Sequence, residues 1–274
     1  MFGKILVQQI RNSWRIPLIM AGVAIVLTLI AALQVRVLMS ESTMRFTAPT
    51  IVRIFIVIFL VLYVIYMVAA NTVMTIIMPV RFYRESFSDQ GYLYHSLPVT
   101  KNQFFASHVI VSGVWILLFY LVDYLCVMIV VSNITDLSSL FRSAIDMLTR
   151  EMRYLFSGAQ GTVNGMMIVA LITFLVSPFA SVIRLNCAVT LGQLFKKHRV
   201  IGAIVMYFAL NFAVGMINQV TSVVSMIGKD MTSVQQGLGM MLMTSVLALV
   251  MTIAESAVFW WLSVHRMEKD LDLE

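Results

Sequence analysis

Charge is scarce in this chain: Asp, Glu, Lys and Arg make up 12% of its 274 residues, about half of the roughly 25% usual in a globular domain. Hydrophobic residues make up 60%. Together the two figures exclude a water-soluble fold, because too few polar side chains exist to cover its surface. Cysteine is nearly absent. The two present, Cys126 and Cys187, lie inside apolar runs, so neither a disulfide framework nor a metal-ligand spacing can be read. The four histidines (His95, His108, His198 and His265) are scattered, and the sequence holds no HExxH and no GxSxG, which leaves no recognisable catalytic constellation. A phosphate loop is missing too: Gly228-Lys229-Asp230 has no Ser or Thr after its lysine and no glycine to open such a loop, so nucleotide hydrolysis by that route is excluded. The formal charge of +6 does not indicate nucleic acid, since the basic residues sit at the ends of apolar runs and form no stripe. No internal repeat, low-complexity tract or soluble domain stands out.

What is present is a set of long apolar runs. They lie at about Ile16 to Leu33, Ile54 to Val80, Phe104 to Ser132, within Thr162 to Phe195, Val200 to Met226, and Leu238 to Val264. Each can cross about 30 Å of hydrocarbon at about 1.5 Å per residue. Ahead of them, Phe2, Ile5, Leu6, Ile10 and Trp14 share one helical face and Lys4, Gln8, Arg11 and Arg15 the other, the pattern of a helix lying in the membrane surface. No small-x-small cleavage site follows, which argues against a signal peptide. The expected architecture is an all-α membrane protein: an interfacial helix over 1–15, six transmembrane helices within 16–264, and a short tail over 265–274. The fourth span is best extended to about Leu194, which makes Lys196 to Arg199 a tight turn, buries Arg184 and puts Pro178 where it kinks the helix.

Lysine and arginine set the orientation. Ends and loops on the N-terminal side hold eleven of them (Lys4, Arg11, Arg15, Arg81, Arg84, Lys101, Lys196, Lys197, Arg199, Arg266 and Lys269), and the opposite loops hold seven. By the positive-inside rule both termini are expected in the cytoplasm. In the outer loop 133–160, Leu137, Phe141, Ala144, Leu148, Met152 and Leu155 recur at helical spacing, which predicts an amphipathic helix on the outer surface.

Ionisable residues within spans are costly in hydrocarbon and mark partners or pathways. Counted at about 1.5 Å per residue, Glu255 lies about 14 Å and Arg184 about 15 Å from the inner ends of their helices, and Asp123 about 18 Å from the inside. Arg184 is therefore expected to pair with Glu255 or Asp123, either to fix helix packing or to serve a gate or cargo path. Gly161 to Gly165 forms a GxxxG, and Asn164, Asn211, Asn218 and Gln219 interrupt apolar runs, as close helix packing commonly requires. The 21 methionines read chiefly as adaptable lipid-facing filler.

One polar stretch, residues 81–103, carries large apolar side chains among its charges. Phe82, Phe87, Tyr92, Leu93 and Leu97 would each leave apolar area in water at about 25 cal/mol per Å², so they are expected to pack on a membrane face or a partner. The runs Arg81-Phe82-Tyr83, Phe87-Ser88-Asp89-Gln90-Gly91-Tyr92-Leu93 and Leu97-Pro98-Val99-Thr100, followed by Ser107-His108, together with Gly192 to Arg199 as the exit of the fourth span, resemble the permease subunits of type 2 ATP-binding-cassette (ABC) exporters of Gram-positive bacteria. The six-span plan agrees over the whole chain. Gln90, His108 and Arg184 depart from the family's usual residues. The resemblance implies that Phe87, Asp89, Gly91, Tyr92, Leu93, Leu97 and Pro98 form a coupling element seated on a separate ATPase subunit. It also implies that two permease subunits pair as a homo- or heterodimer in the cell membrane, and that ATP and Mg bind to the ATPase and not to this chain. The expected function is export of an amphipathic or hydrophobic compound such as a peptide. Two other functions fit the residues: a non-transporting membrane scaffold or immunity protein, and a secondary transporter driven by protons through Asp123 or Glu255.

Overall fold

A chain that crosses hydrocarbon must satisfy its backbone internally, and the α-helix does so within one segment. The computed structural model describes residues 2–43, 50–87, 100–134, 160–195, 198–226 and 234–269. Among them seven helices follow one another: α1 (Phe2–Ser13), α2 (Arg15–Thr43), α3 (Thr50–Phe87), α4 (Lys101–Ile134), α5 (Gln160–Gly192), α6 (Arg199–Met226) and α7 (Val234–Lys269). Six of them, α2 to α7, are long and apolar enough to cross a membrane. Rows of exposed side chains such as Leu62, Ile65 and Val68 on α3, or Phe208 and Phe212 on α6, would be untenable in water and suit a lipid environment. The chain is thus a multi-pass, all-helical membrane protein.

Two compact units make up the chain. One comprises Met1–Gln9, Ile77–Val114 and Met152–Glu274, the other Ile10–Ile76 and Trp115–Glu151. In the second unit, α2 presents Ala24, Thr28 and Ala31, one face at helical spacing, to Tyr63 and Met67 of α3 and Cys126 of α4. The alanines allow close approach where little but packing favours helix association. Two tyrosines tie the helices further: Tyr63 Oη lies 3.1 Å from Thr28 Oγ1, and Tyr66 Oη donates to the Met20 carbonyl at 3.0 Å. At the end of α1, the Trp115 indole donates to Ser13 Oγ at 2.8 Å. The buried residues of α1 are Ile5, Gln9 and Ser13, whereas Ile10 and Trp14, expected on the same apolar face, stay exposed.

In the first unit α5 packs along both α6 and α7. Its second half is buried on several sides, through Val182, Ile183, Asn186, Cys187, Ala188 and Leu191. Pro178 sits inside this helix and offers no N–H to the carbonyl of Phe174, which takes the Ser177 hydroxyl at 3.4 Å instead. Gly113 of α4 is filled by the ring of Phe179, and Gly165 of α5 meets Leu242 of α7. Gly161, the other half of the expected GxxxG, has nothing within 4 Å, so only one of the two glycines serves a close contact. Methionine is not confined to the outer surface either: Met74, Met78 and Met267 are each 1% exposed, where an unbranched side chain fills irregular gaps.

The expected outer helix over 133–160 lies outside the described residues apart from its margins. The polar segment 81–103 is trimmed from both ends, because Arg81 to Phe87 continue α3 and Lys101 to Gln103 open α4. The fourth span runs past Arg184 to Gly192, close to the expected end at about Leu194, and a turn follows it, with Leu194 N–H on the Leu191 carbonyl and Phe195 N–H on that of Gly192. Glycine is required here. A Cβ on Gly192 would stand 2.4 Å from the backbone nitrogen of Ala203, and one on Gly202 2.8 Å from the Gly192 carbonyl oxygen.

Neither backbone can yield locally, so Gly192→Ala is expected to destabilise the protein by about 1–3 kcal/mol, the usual cost of overpacking. Thermal unfolding in detergent micelles reads this as a lower midpoint. Gly161→Ala, at an open position, should leave the midpoint unchanged or raise it, and equal losses in both variants would contradict the close approach of α5 and α6.

Candidate functional site

Two places gather residues singled out in the sequence. The first is the root of the polar segment, where α3 ends and α4 begins. Phe82, on α3, is fully buried. Its ring lies 6.4 Å from Phe104, 5.7 Å from Phe105 and 5.0 Å from His108, all on α4, and 6.1 Å from Phe87 on its own helix. The expectation that Phe82 needs a partner outside the chain is therefore overturned: its apolar area is covered by α4, one turn past the point where that helix begins. Phe87 is half-buried, against Phe82 and Tyr83.

Polar contacts reinforce this root. Glu85 Oε2 lies 3.9 Å from His108 Nε2 and Glu85 Oε1 3.4 Å from the Arg81 guanidinium, one turn away. His108 Nδ1 shares a 3.3 Å hydrogen bond with Ser112. From α7, Trp260 packs edge-on against Phe105 at 5.0 Å and donates its indole N–H to Asn102 Oδ1 at 2.9 Å. The end of α3 and the start of α4 are thus joined to each other and to α7 where the polar segment leaves one and enters the other. Of the residues assigned to coupling, Phe87 lies in this root; Asp89, Gly91, Tyr92, Leu93, Leu97 and Pro98 lie outside the described residues.

The second place is Arg184 on α5. Its Nη2 donates to Glu255 Oε1 of α7 at 2.5 Å, and its Nη1 donates to Asn211 Oδ1 of α6 at 3.0 Å. The Asn211 amide is oriented by its own Nδ2, which donates to the Tyr207 carbonyl at 2.9 Å. One guanidinium therefore ties three helices together. The fork geometry of arginine suits this, since two N–H groups reach two acceptors at once. The pair is neutral as a whole, which lowers the penalty of placing two charges among apolar helices. Arg184 Nε is buried without an acceptor.

Of the two partners weighed for Arg184, Glu255 is the one that meets it. Asp123 instead accepts a hydrogen bond from Asn71 of α3. Asn71 and Trp260 were not singled out in the sequence, although Asn71 and Asn211 carried the same signal, an amide in an otherwise apolar run. Trp260 carried none, because an aromatic residue near the end of a span is unremarkable. No protein-family model, curated protein or solved structure matches this chain.

Removing one partner of the Arg184–Glu255 pair leaves a desolvated charge, so Arg184→Leu and Glu255→Leu are each expected to cost about 3–5 kcal/mol, and the double variant much less than their sum. Midpoints of thermal unfolding for the four proteins of the cycle measure the coupling. Additive losses would show that the two side chains do not depend on each other.

Proposed function

We propose that this chain is the membrane-spanning permease subunit of an ABC exporter, moving an amphipathic or hydrophobic compound such as a peptide out of a Gram-positive cell, or off its membrane, with energy from a separate ATPase. The observation that carries the reading is the aromatic root around Phe82. A segment that another protein grips can move the membrane helices only if its two ends are fixed to them, and Phe82 with Phe104, Phe105 and His108 fixes both ends to each other and, through Trp260, to α7. The sequence of the segment supplies the other support, by its resemblance to the coupling elements of such permeases.

In this mechanism Tyr92, Leu93 and Leu97 are apolar anchors in a groove of the ATPase, Gly91 gives a turn and Pro98 stops a short helix. ATP and Mg bind between two ATPase subunits, and their closure displaces the segment. The long helices α3 and α4 carry the displacement into the bilayer as stiff rods. A second permease subunit, identical or related, faces this one across the path of the exported compound, and both termini lie in the cytoplasm. The Arg184–Glu255–Asn211 contact has a packing role here, holding α5, α6 and α7 as one body while α3 and α4 are driven.

Purification of the tagged chain from its native membrane is expected to bring down an ATPase in stoichiometric amount. Leu93→Asp or Leu97→Asp should abolish that association without loss of the membrane protein. A wild-type preparation free of any ATPase would instead favour a scaffold or immunity protein. Export that survives ATP depletion and stops when the proton gradient is collapsed would favour a proton-driven carrier.

A further inference from the structure

Asp123, deep in α4, meets no base among the described residues. Between Arg53 and Arg81 the sequence of α3 holds no charge, nor does α2 between Arg15 and Arg36. Tyr63 and Tyr66 of α3 lie within electrostatic reach of Asp123, and both are neutral at pH 7 in their ordinary state. Its bonded partner is the carboxamide of Asn71, whose Nδ2 donates to Asp123 Oδ2 and also to the Met67 carbonyl at 3.0 Å. Those two acceptors fix which end of the amide is nitrogen: turned over, Asn71 would set its oxygen against two other oxygens.

What remains is a pair of orphans. Asp123 Oδ1 and Asn71 Oδ1 are both buried, and neither has a hydrogen-bond partner. Both are acceptors if the carboxyl group is ionised, and they belong to two planar groups already joined through their other arms. One proton resolves both. Placed on Asp123 Oδ1, it satisfies that oxygen and supplies the donor that Asn71 Oδ1 lacks. The terminal torsions of Asp and Asn are broad enough to bring the second arms together. A hard metal cation fits less well, because it takes about six oxygen ligands and two are on offer.

From this geometry we infer that Asp123 is a proton-binding site, at which a carboxylic acid and the Asn71 carboxamide close a two-hydrogen-bond ring between α3 and α4. The bond formed is O–H on Asp123 Oδ1, and the proton comes from bulk water, so no redox partner is involved. The bound proton leaves the Asp123–Asn71 site uncharged, and its loss breaks the ring. The inference holds whether or not an ATPase drives the protein.

Infrared spectroscopy of the full chain in lipid vesicles, with aspartate carboxyl carbons labelled with carbon-13, tests it directly. Aspartates in water are ionised at pH 7, so a neutral-carboxyl band that shifts with the label at pH 7 is expected and belongs to Asp123. Asp123→Asn should remove that band, while Asn71→Leu should keep it and move it to higher wavenumber as the hydrogen bonds are lost. Absence of the band from the wild-type protein would overturn the proposal, with Asp123 then ionised and its free oxygen on water or a metal cation. A band unmoved by Asn71→Leu would overturn the ring.

Discussion

Inside hydrocarbon a polar side chain has no water to turn to, and this scarcity of partners governs how the helices are held together. Where α2 meets α3, the contacts that single out a register are the Tyr63–Thr28 bond and the Tyr66 bond to the Met20 carbonyl. Where α5 meets α6 and α7, it is the guanidinium of Arg184. Apolar packing alone is permissive between lipid-embedded helices, because a lipid tail is as good a neighbour as a leucine. A donor that must find its acceptor is not permissive. Each neutral bond contributes modestly, on the order of 0.6 kcal/mol in measured membrane cases, but it excludes the rotations and slips that would leave its atoms bare.

Long apolar runs gave the helices away, and their number, order and approximate ends could be read from hydropathy and length. The ends were less legible for a physical reason. Hydropathy falls at the membrane surface, whereas a helix stops where its backbone is capped or turned, so α3 runs past Val80 to Phe87 and α4 starts at Lys101. The turn after Gly192 depends on that glycine meeting Gly202 and Ala203 of the next helix, and nothing in the composition of Gly192 to Gly202 announces that contact.

The candidate site was legible in part. Arg184 and Glu255 stand out because a charge in hydrocarbon is expensive, and near-equal depth along their helices points to a pair. Depth could not separate Glu255 from Asp123; that depends on which helices are neighbours. The role of Phe82 was misread for a related reason. An aromatic residue in a polar stretch looks exposed when the stretch is taken as a loop, and looks buried once it is the last turn of a helix with Phe104 and Phe105 opposite.

The two charged sites solve the same problem by opposite means, and the difference bears on what each can do. Arg184 and Glu255 keep both charges and neutralise them against each other, which demands a short, fixed geometry and makes separation costly. Such a contact suits helices that move as one body. Asp123 with Asn71 has no counter-charge, so its neutrality has to come from a reversible ligand. A fixed ion pair fastens α5 to α6 and α7, whereas between α3 and α4 the second arm of the Asp123–Asn71 contact can be made and unmade by a single proton while Nδ2 stays on Oδ2. In the proposed exporter these are the two helices that leave the membrane to meet the ATPase, the place where a reversible tie is compatible with movement.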